Sequence, residues 1–169
     1  TGAAQFLRDT RICSIYEGTT GIQANDLVLR KLLMDGGEQM NDLIAEIEQD
    51  IATWQAGASE DLTEILDCLA DAVKSLNHAT EWALAQEERN SVLASAYHYL
   101  MLSGDLIGGW LLTRGLVNAG KAGVSEDKLQ IRTTITKYHC EQFLTHANAL
   151  ATTIQQGDET IMALSIDQF

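Results

Sequence analysis

The sequence predicts an all-α protein: a four-helix up-down-up-down bundle, preceded by a loop segment and one further helix. Proline, which interrupts helices, is absent from all 169 residues. From residue 38 onward, apolar residues recur three and four positions apart over four stretches, the spacing of one helix face. Short groups of turn-forming residues separate the stretches, which is typical of antiparallel neighbours in a bundle. A looser orthogonal array of helices is the alternative that this pattern leaves open.

Glycine and serine mark the expected boundaries of these helices. The first stretch stops at Ala56-Gly57, and Ser59 is the expected N-cap of the second. Ser125 is the expected N-cap of the fourth, which should extend as one helix to Gly157. The apolar face expected for this fourth helix comprises Leu129, Ile135, Tyr138, Phe143, Ala147, Leu150 and Ile154.

The third stretch, about 91–119, is apolar on nearly all sides, so we expect it to be the most buried helix. Gly104 and Gly108 lie four positions apart on it. Their missing side chains would let the backbone of a neighbouring helix come close, as in membrane helix pairs.

The charge of the chain is strongly negative. It has 24 acidic and 11 basic residues, a net charge of −13, and residues 32–73 contain no Lys or Arg. Such a surface repels phosphate backbones and anionic lipids, so we expect neither nucleic acid nor a membrane surface as partner. No apolar run approaches the ~18 residues that a membrane span needs, so no span is expected.

The cysteines and the first residue bear on location and completeness. Cys13, Cys68 and Cys140 stand far apart and form no C-x-x-C motif, which favours reduced thiols in a reducing, cytoplasmic compartment. The chain opens at Thr1 rather than Met, so we expect it to be a piece of a longer protein.

No metal site is expected. The histidines form no H-E-x-x-H motif and no repeated E-x-x-H pair, and the acidic run lacks the D-x-D-x-D-G pattern of a calcium loop. We interpret each histidine as a residue of a helix flank or a hydrogen-bonded core position. The four are His78, His98, His139 and His146.

The N-terminal segment has its own helix signals. Thr20 and Gln23 have the spacing of a capping box, in which Thr20 would be the N-cap. The helix should end at Asp35-Gly36-Gly37, a stop and a hinge. Its expected apolar face comprises Ile22, Leu27, Val28 and Leu32.

Glu17 is the candidate for chemistry in this segment. It follows Ile15-Tyr16, and apolar neighbours disfavour the charged form of a carboxylate, which is a condition for a general base. The helix N-terminus just after it offers free N–H groups to a phosphate or pyrophosphate, and Gly18 would let a ligand approach the backbone. By itself, however, a glutamate in front of a capped helix is usually an ordinary residue.

A resemblance to a known family favours the first interpretation. Residues 8–31, RDTRICSIYEGTTGIQANDLVLRK, resemble the end of the acyl-CoA dehydrogenase catalytic domain, which has the pattern R-D-x-R-I-x-x-I-Y-E-G-T-x-x-I-Q. Residues 38–169 resemble the extra helical domain of the longer bacterial members, including the stretch YHYLMLSGDLIGGWLL and a final L-x-x-x-Q-F. The resemblance thus implies a catalytic-domain fragment at 1–35 and a helical bundle domain at 38–169.

The resemblance also implies a reaction: FAD-dependent α,β-dehydrogenation of an acyl-CoA thioester. Glu17 would be the base that removes the α-proton, and its backbone N–H would help to hold the thioester carbonyl. Gly18 and Tyr16 would contact substrate. The residues implied to line FAD are Thr19, Thr20, Gly21 and Gln23.

The partners implied by the resemblance are an electron-transfer flavoprotein and a second copy of the chain in a homodimer. We expect these residues alone to be inactive and not to retain FAD, because the flavin-binding sheet domain is not among them. The acyl chain stays open, including sulfur-containing groups such as 3-methylmercaptopropionyl-CoA. The alternative for 38–169 is an interaction or oligomerisation module with no catalytic role of its own.

Overall fold

The computed structural model describes residues 2–14 and 19–168, and this part of the chain is helical with no β-strand. The prediction of an all-α fold is therefore confirmed. A π-helix, Leu27–Leu32, continues α2 directly, and short 3-10 turns occur at Ile12–Ser14, Leu144–His146 and Ile166–Gln168. The α-helices are α1 (Ala3–Arg11), α2 (Thr20–Asp26), α3 (Glu38–Gln55), α4 (Glu60–Leu84), α5 (Arg89–Lys121), α6 (Glu126–Gln142) and α7 (Ala147–Ile154).

The four long helical stretches pack as an up-down-up-down bundle. The α4 and α5 helices are antiparallel, because Thr80 near the end of α4 bonds Tyr99 near the start of α5. The α4 and α6 helices run in the same direction, since Lys137 contacts Asp61 and, further along both helices, Cys140 contacts Cys68. This alternation is the predicted topology.

Local sequence explains several of the helix ends. The Ser59 hydroxyl accepts a hydrogen bond from the Leu62 amide at 3.3 Å, which confirms the predicted cap of α4. Ser125 is at the N-cap position of α6, but its hydroxyl makes no capping bond among the described residues. Gly57 and Gly157 follow α3 and α7 with φ of +80° and +63°, the left-handed geometry that favours glycine.

The prediction of one continuous fourth helix is wrong. It is broken after Gln142 into α6 and α7, and Leu144 of the intervening turn is buried. A Cβ built on Gly109 of α5 would lie 2.9 Å from Leu144 Cδ1, so this glycine makes room for the turn. Tertiary packing of Leu144 therefore accounts for a break that the local sequence does not encode.

The predicted apolar face of the fourth stretch is also wrong at three positions, although Leu129 packs against the core. Ile135, Tyr138 and Phe143 are exposed by 49%, 59% and 41%, while Thr136 and Cys140 are buried. The Thr136 hydroxyl donates to the Arg132 carbonyl at 2.8 Å, so its burial leaves no unpaired group. Small inward-facing residues let α6 approach α4 and α5 closely, and the bulky residues remain outside.

The α5 helix contributes more buried residues than any other helix of the described chain, as predicted, although it is not buried on all sides. It contacts α2, α4, α6 and α7, yet Tyr97 and Leu111 remain about half exposed. Nor does a neighbouring backbone fill the gap at the paired glycines. The nearest atom to a Cβ on Gly108 is Cε1 of the His139 ring, at 3.2 Å, and a Cβ on Gly104 would meet no described atom within 4 Å.

Two basic residues of other helices contact the acidic stretch 32–73. Arg114 of α5 and Lys137 of α6 lie beside carboxylates of α3 and α4, and these partly exposed pairs have modest value for stability. The contacts are Arg114 with Glu46 at 3.0 Å and Asp50 at 3.5 Å, and Lys137 with Asp61 at 2.9 Å and Glu64 at 2.6 Å. No helix in the described part is long and apolar enough to cross a membrane.

Candidate functional site

The predicted site residues fall into two groups. Tyr16, Glu17 and Gly18, the expected substrate contacts and base, lie outside the described residues. The expected FAD contacts, Thr19, Thr20, Gly21 and Gln23, lie at the N-cap and in the first turn of α2. The structure thus describes the position of one group only, and the roles of both groups remain predictions.

The start of α2 differs from the predicted capping box. Thr19, not Thr20, is at the N-cap position, and its side chain makes no capping bond within the described chain. The first turn closes through the backbone instead, because the Gln23 amide donates to the Thr19 carbonyl at 2.8 Å. The helix therefore begins one residue earlier than the capping box requires, and the Thr20 and Gln23 side chains are left exposed.

This first turn can donate hydrogen bonds to a ligand. An α-helix gives its first amides no partner within itself, and here those amides include Thr20, Gly21 and Ile22. Gly21 is exposed, and a Cβ on it would meet no described atom within 4 Å. Hydroxyls, a side-chain amide and N–H groups that have no acceptor among the described residues suit the polar groups of a dinucleotide such as FAD.

The rest of this helix is anchored in the bundle core. Ala24, Val28 and Leu32 are at most 1% exposed and share the core of α3 to α7. The π-helical turn, in which the Leu33 amide donates to the Val28 carbonyl at 3.0 Å, widens the helix at this contact. Ile22, which we expected on the buried face, is instead 67% exposed. The buried positions begin only after the candidate FAD contacts.

The α1 helix presents large apolar side chains to solvent. Phe6 is 74% exposed, Leu7 70% and Ile12 53%. Within α1, Gln5 bonds both Arg8 and Asp9, each at 2.6 Å, so these polar side chains connect along the helix itself. Exposed apolar side chains therefore occur in the sequence both before residues 15–18, on α1 and at Ile12 in the turn after it, and after them, at Ile22. The exposure of these side chains was not predicted, although the apolar pair Phe6-Leu7 was a signal for it.

A cavity in the described part of the chain lies away from the candidate site, and no metal cluster is found in that part. A cavity of about 390 Å³ lies at the end of the bundle where Trp54 of α3, Leu62 of α4 and Lys121 of α5 come together, and residues 19–23 do not line it. No three His, Cys, Asp or Glu side chains within residues 2–14 and 19–168 are grouped to hold a metal ion.

The family model described as "Acetyl-CoA dehydrogenase C-terminal like" matches residues 43–165, from α3 past the end of α7. The chain belongs to the acyl-CoA dehydrogenase family. It corresponds to the C-terminal part of these proteins, as the resemblance predicted.

Curated relatives agree with this assignment. The chain is 34% identical to 3-methylmercaptopropionyl-CoA dehydrogenase of Ruegeria pomeroyi, over 98% of the chain and 29% of that protein. It is 28% identical to a broad-specificity linear acyl-CoA dehydrogenase of Mycobacterium tuberculosis, over 95% of the chain and 28% of that protein. It is 33% identical to butyryl-CoA dehydrogenase of Syntrophomonas wolfei, over 73% of the chain and 20% of that protein. The chain thus spans less than a third of each relative.

Proposed function

We propose that this chain is the C-terminal part of a flavin-dependent acyl-CoA dehydrogenase that removes hydrogens from the α and β carbons of an acyl-CoA thioester. The observation that carries the proposal is the similarity to an acyl-CoA dehydrogenase along 98% of the chain, which includes the segment around Glu17. We further propose a cytoplasmic enzyme that uses an electron-transfer flavoprotein as acceptor.

Glu17 would act as the base. A carboxylate held among apolar groups is poorly solvated and accepts a proton more readily, which suits removal of an α-proton. Its backbone N–H would donate to the thioester carbonyl, where negative charge develops as the proton leaves. Gly18 and Tyr16 would contact the acyl group and help to exclude water.

Thr19, Thr20, Gly21 and Gln23 would hold FAD through their hydroxyls, backbone amides and side-chain amide. FAD, when bound, supplies the hydride acceptor. The exposure of Thr20, Gly21 and Gln23 supports this role, because these groups are free to meet a ligand.

The exposed apolar side chains of α1 and Ile22 support a two-part arrangement. We propose that they pack against the remainder of the dehydrogenase, while Ala24, Val28 and Leu32 fix the same segment to the bundle. The division into a catalytic-domain fragment at 1–35 and a bundle domain at 38–169 then places the bundle beside the active site.

The test uses the full-length protein under anaerobic conditions. Acyl-CoA substrates of the types named by the relatives are added, and bleaching of the flavin absorption band is followed. We expect the Glu17→Gln variant to retain flavin and to lose its reduction by acyl-CoA. Glu48→Gln, on the exposed side of α3, is the matched control and should reduce like the wild type. Normal flavin reduction in the Glu17→Gln variant would remove Glu17 as the base.

The 169-residue chain alone is proposed to be inactive. Residues 19–23 supply a few contacts to FAD, too few to hold a ligand whose other contacts would come from elsewhere in the enzyme. The purified chain should therefore show no flavin absorption band. A stoichiometric band would contradict this part of the proposal.

A second candidate function for the bundle is assembly of a homodimer. Large apolar side chains exposed on both α5 and α6 favour it, because exposed apolar area is what a protein–protein contact buries. We expect Leu111→Lys and Ile135→Lys to shift the full-length protein from dimer to monomer in analytical ultracentrifugation, and an unchanged dimer would contradict it. The large apolar residues exposed on α5, on α6 and directly after α6 are Tyr97, Met101, Leu111, Ile131, Ile135, Tyr138 and Phe143.

A further inference from the structure

Two thiols from different helices of the bundle lie together. Cys68 is half-buried on α4, and Cys140 is 5% exposed on α6. The Cys68 thiol donates to the Cys140 carbonyl at 3.7 Å, although the two residues are 72 positions apart in the chain. The sulfur of Cys68 therefore lies against the backbone from which the Cys140 side chain branches.

The pair is open to small solutes. A cavity of about 140 Å³ is lined by both cysteines, together with Ile65 and Lys137. A second cavity, of about 370 Å³, reaches Cys68 from the break between α6 and α7, where Leu144 lines it. The interruption of the fourth helix thus leaves space beside the thiol, which a continuous helix would cover.

We propose that Cys68 and Cys140 form a redox modification site, in which a hydroperoxide oxidises the two thiols to a disulfide that links α4 to α6. The oxidant belongs to the class of small hydroperoxides, ROOH, that can enter these cavities. Thiols that react reversibly in this way are partly exposed and lie next to a resolving cysteine, the arrangement seen here.

The reaction balances in two steps. In the first, the Cys68 thiolate attacks one peroxide oxygen, so that an S–O bond forms, the O–O bond breaks and RO⁻ leaves, to be protonated to ROH. In the second, Cys140 loses its proton and its sulfur attacks the Cys68 sulfenic acid. An S–S bond then forms, the S–O bond breaks, and hydroxide leaves as water. The two thiols lose two electrons in total, and the peroxide gains them.

The surroundings assign different roles to the two cysteines. The interaction with Cys140 lowers the pKa of the Cys68 thiol, against the opposing effects of burial and of Asp71. The pKa of the Cys140 thiol is raised, first by the interaction with Cys68 and then by burial. Cys68 is also the more exposed of the two, so it is the thiol that meets the peroxide. Cys140 keeps its proton until Cys68 has become a neutral sulfenic acid, which removes the charge that opposed its ionisation.

The experiment uses the full 169-residue chain carrying Cys13→Ser, so that the exposed third thiol does not react. The folded protein is treated with hydrogen peroxide at a small molar excess, alkylated, and analysed by intact mass and peptide mapping. We expect a loss of two hydrogen atoms, a peptide that joins residues 68 and 140, and full reversal by dithiothreitol. The oxidised chain should also unfold at a higher temperature, since the cross-link constrains the unfolded state.

Two further variants distinguish the roles. With Cys140→Ser added, Cys68 should remain as a sulfenic acid that a dimedone-type probe traps. With Cys68→Ser added, little oxidation should occur, because Cys140 is buried. Circular dichroism checks that each variant is folded. The proposal is overturned if the Cys13→Ser chain gains oxygen atoms without a joined peptide, or remains unoxidised under conditions that oxidise Cys13 in the wild type.

Discussion

Gly37 is the position where an added methyl group should reveal how tightly the N-terminal segment is joined to the bundle. It precedes α3 with φ of +82°, a left-handed conformation that costs an L-residue about 1–2 kcal/mol. An alanine Cβ would also lie 2.6 Å from Cδ1 of Leu84 on α4, well inside the ~3.5–4.0 Å of carbon–carbon contact. Leu84 can rotate, so this overlap should cost about 1 kcal/mol, the low end of the range for overpacking. Gly37→Ala is therefore expected to lower the free energy of unfolding by about 2–3 kcal/mol.

Gly36 is the matched control for this substitution. Its φ is +66°, but an added Cβ would meet no described atom within 4 Å. Gly36→Ala should thus incur only the conformational cost of about 1–2 kcal/mol. Urea unfolding followed by circular dichroism measures both variants, and adding Leu84→Ala to each isolates the contact. We expect coupling with Gly37 and none with Gly36. Equal losses for the two alanine variants, without coupling, would refute the close contact between this turn and α4.

Two other predictions test the bundle. Burial raises the pKa of Tyr99 to about 12, against about 10 in the unfolded chain. The folded state thus holds this proton more tightly. The contribution of Tyr99 to the free energy of unfolding is complete below pH 10, and it falls by about 1.4 kcal/mol per pH unit between pH 10 and 12. The free energy of unfolding, measured in urea from pH 10 to 12, should therefore decline less steeply in Tyr99→Phe than in the wild type. An identical slope in the two proteins would argue against a raised pKa for Tyr99. Thr136→Asp should cost at least ~3 kcal/mol because it buries an unpaired charge, whereas Thr134→Asp, at an exposed position of α6, should cost less than about 1 kcal/mol. Similar melting temperatures for these two variants would contradict the observed face of α6.

The sequence predicted the parts of the fold that depend on local signals. Ser59 caps α4 because its hydroxyl reaches an amide three residues ahead, and this requires no distant contact. Gly57 and Gly157 end helices because their φ values are positive, a preference that belongs to glycine itself.

The errors arose where distant packing decides. Thr136 and Cys140 lie four positions apart on α6, and Ile135 and Tyr138 lie three positions apart. Either spacing puts both residues of a pair on one face of the helix. Hydrophobicity favours the second pair, but close approach to α4 and α5 requires small side chains. No glycine or proline signals the break after Gln142. The break depends instead on the burial of Leu144 against α5.

The candidate site divides in the same way. The donors at the start of α2 follow from the helix that the sequence predicts, although its cap is Thr19 rather than Thr20. The assignment of Glu17 depends on a family resemblance, because nothing in its local pattern distinguishes it from other glutamates. The nearness of Cys68 to Cys140 depends on which helices become neighbours in the bundle, and no local pattern encodes that.

Hydrogen exchange is the most direct test of the central claim that residues 2–23 join the rest of a dehydrogenase while the following helix fixes them to the bundle. Exchange is measured by mass spectrometry on the 169-residue chain and on the full-length protein. We predict that amides of α1 and of the start of α2 exchange much more slowly in the full-length protein, while those of α4 are equally protected in both. Equally fast exchange of α1 in the two proteins would contradict the account.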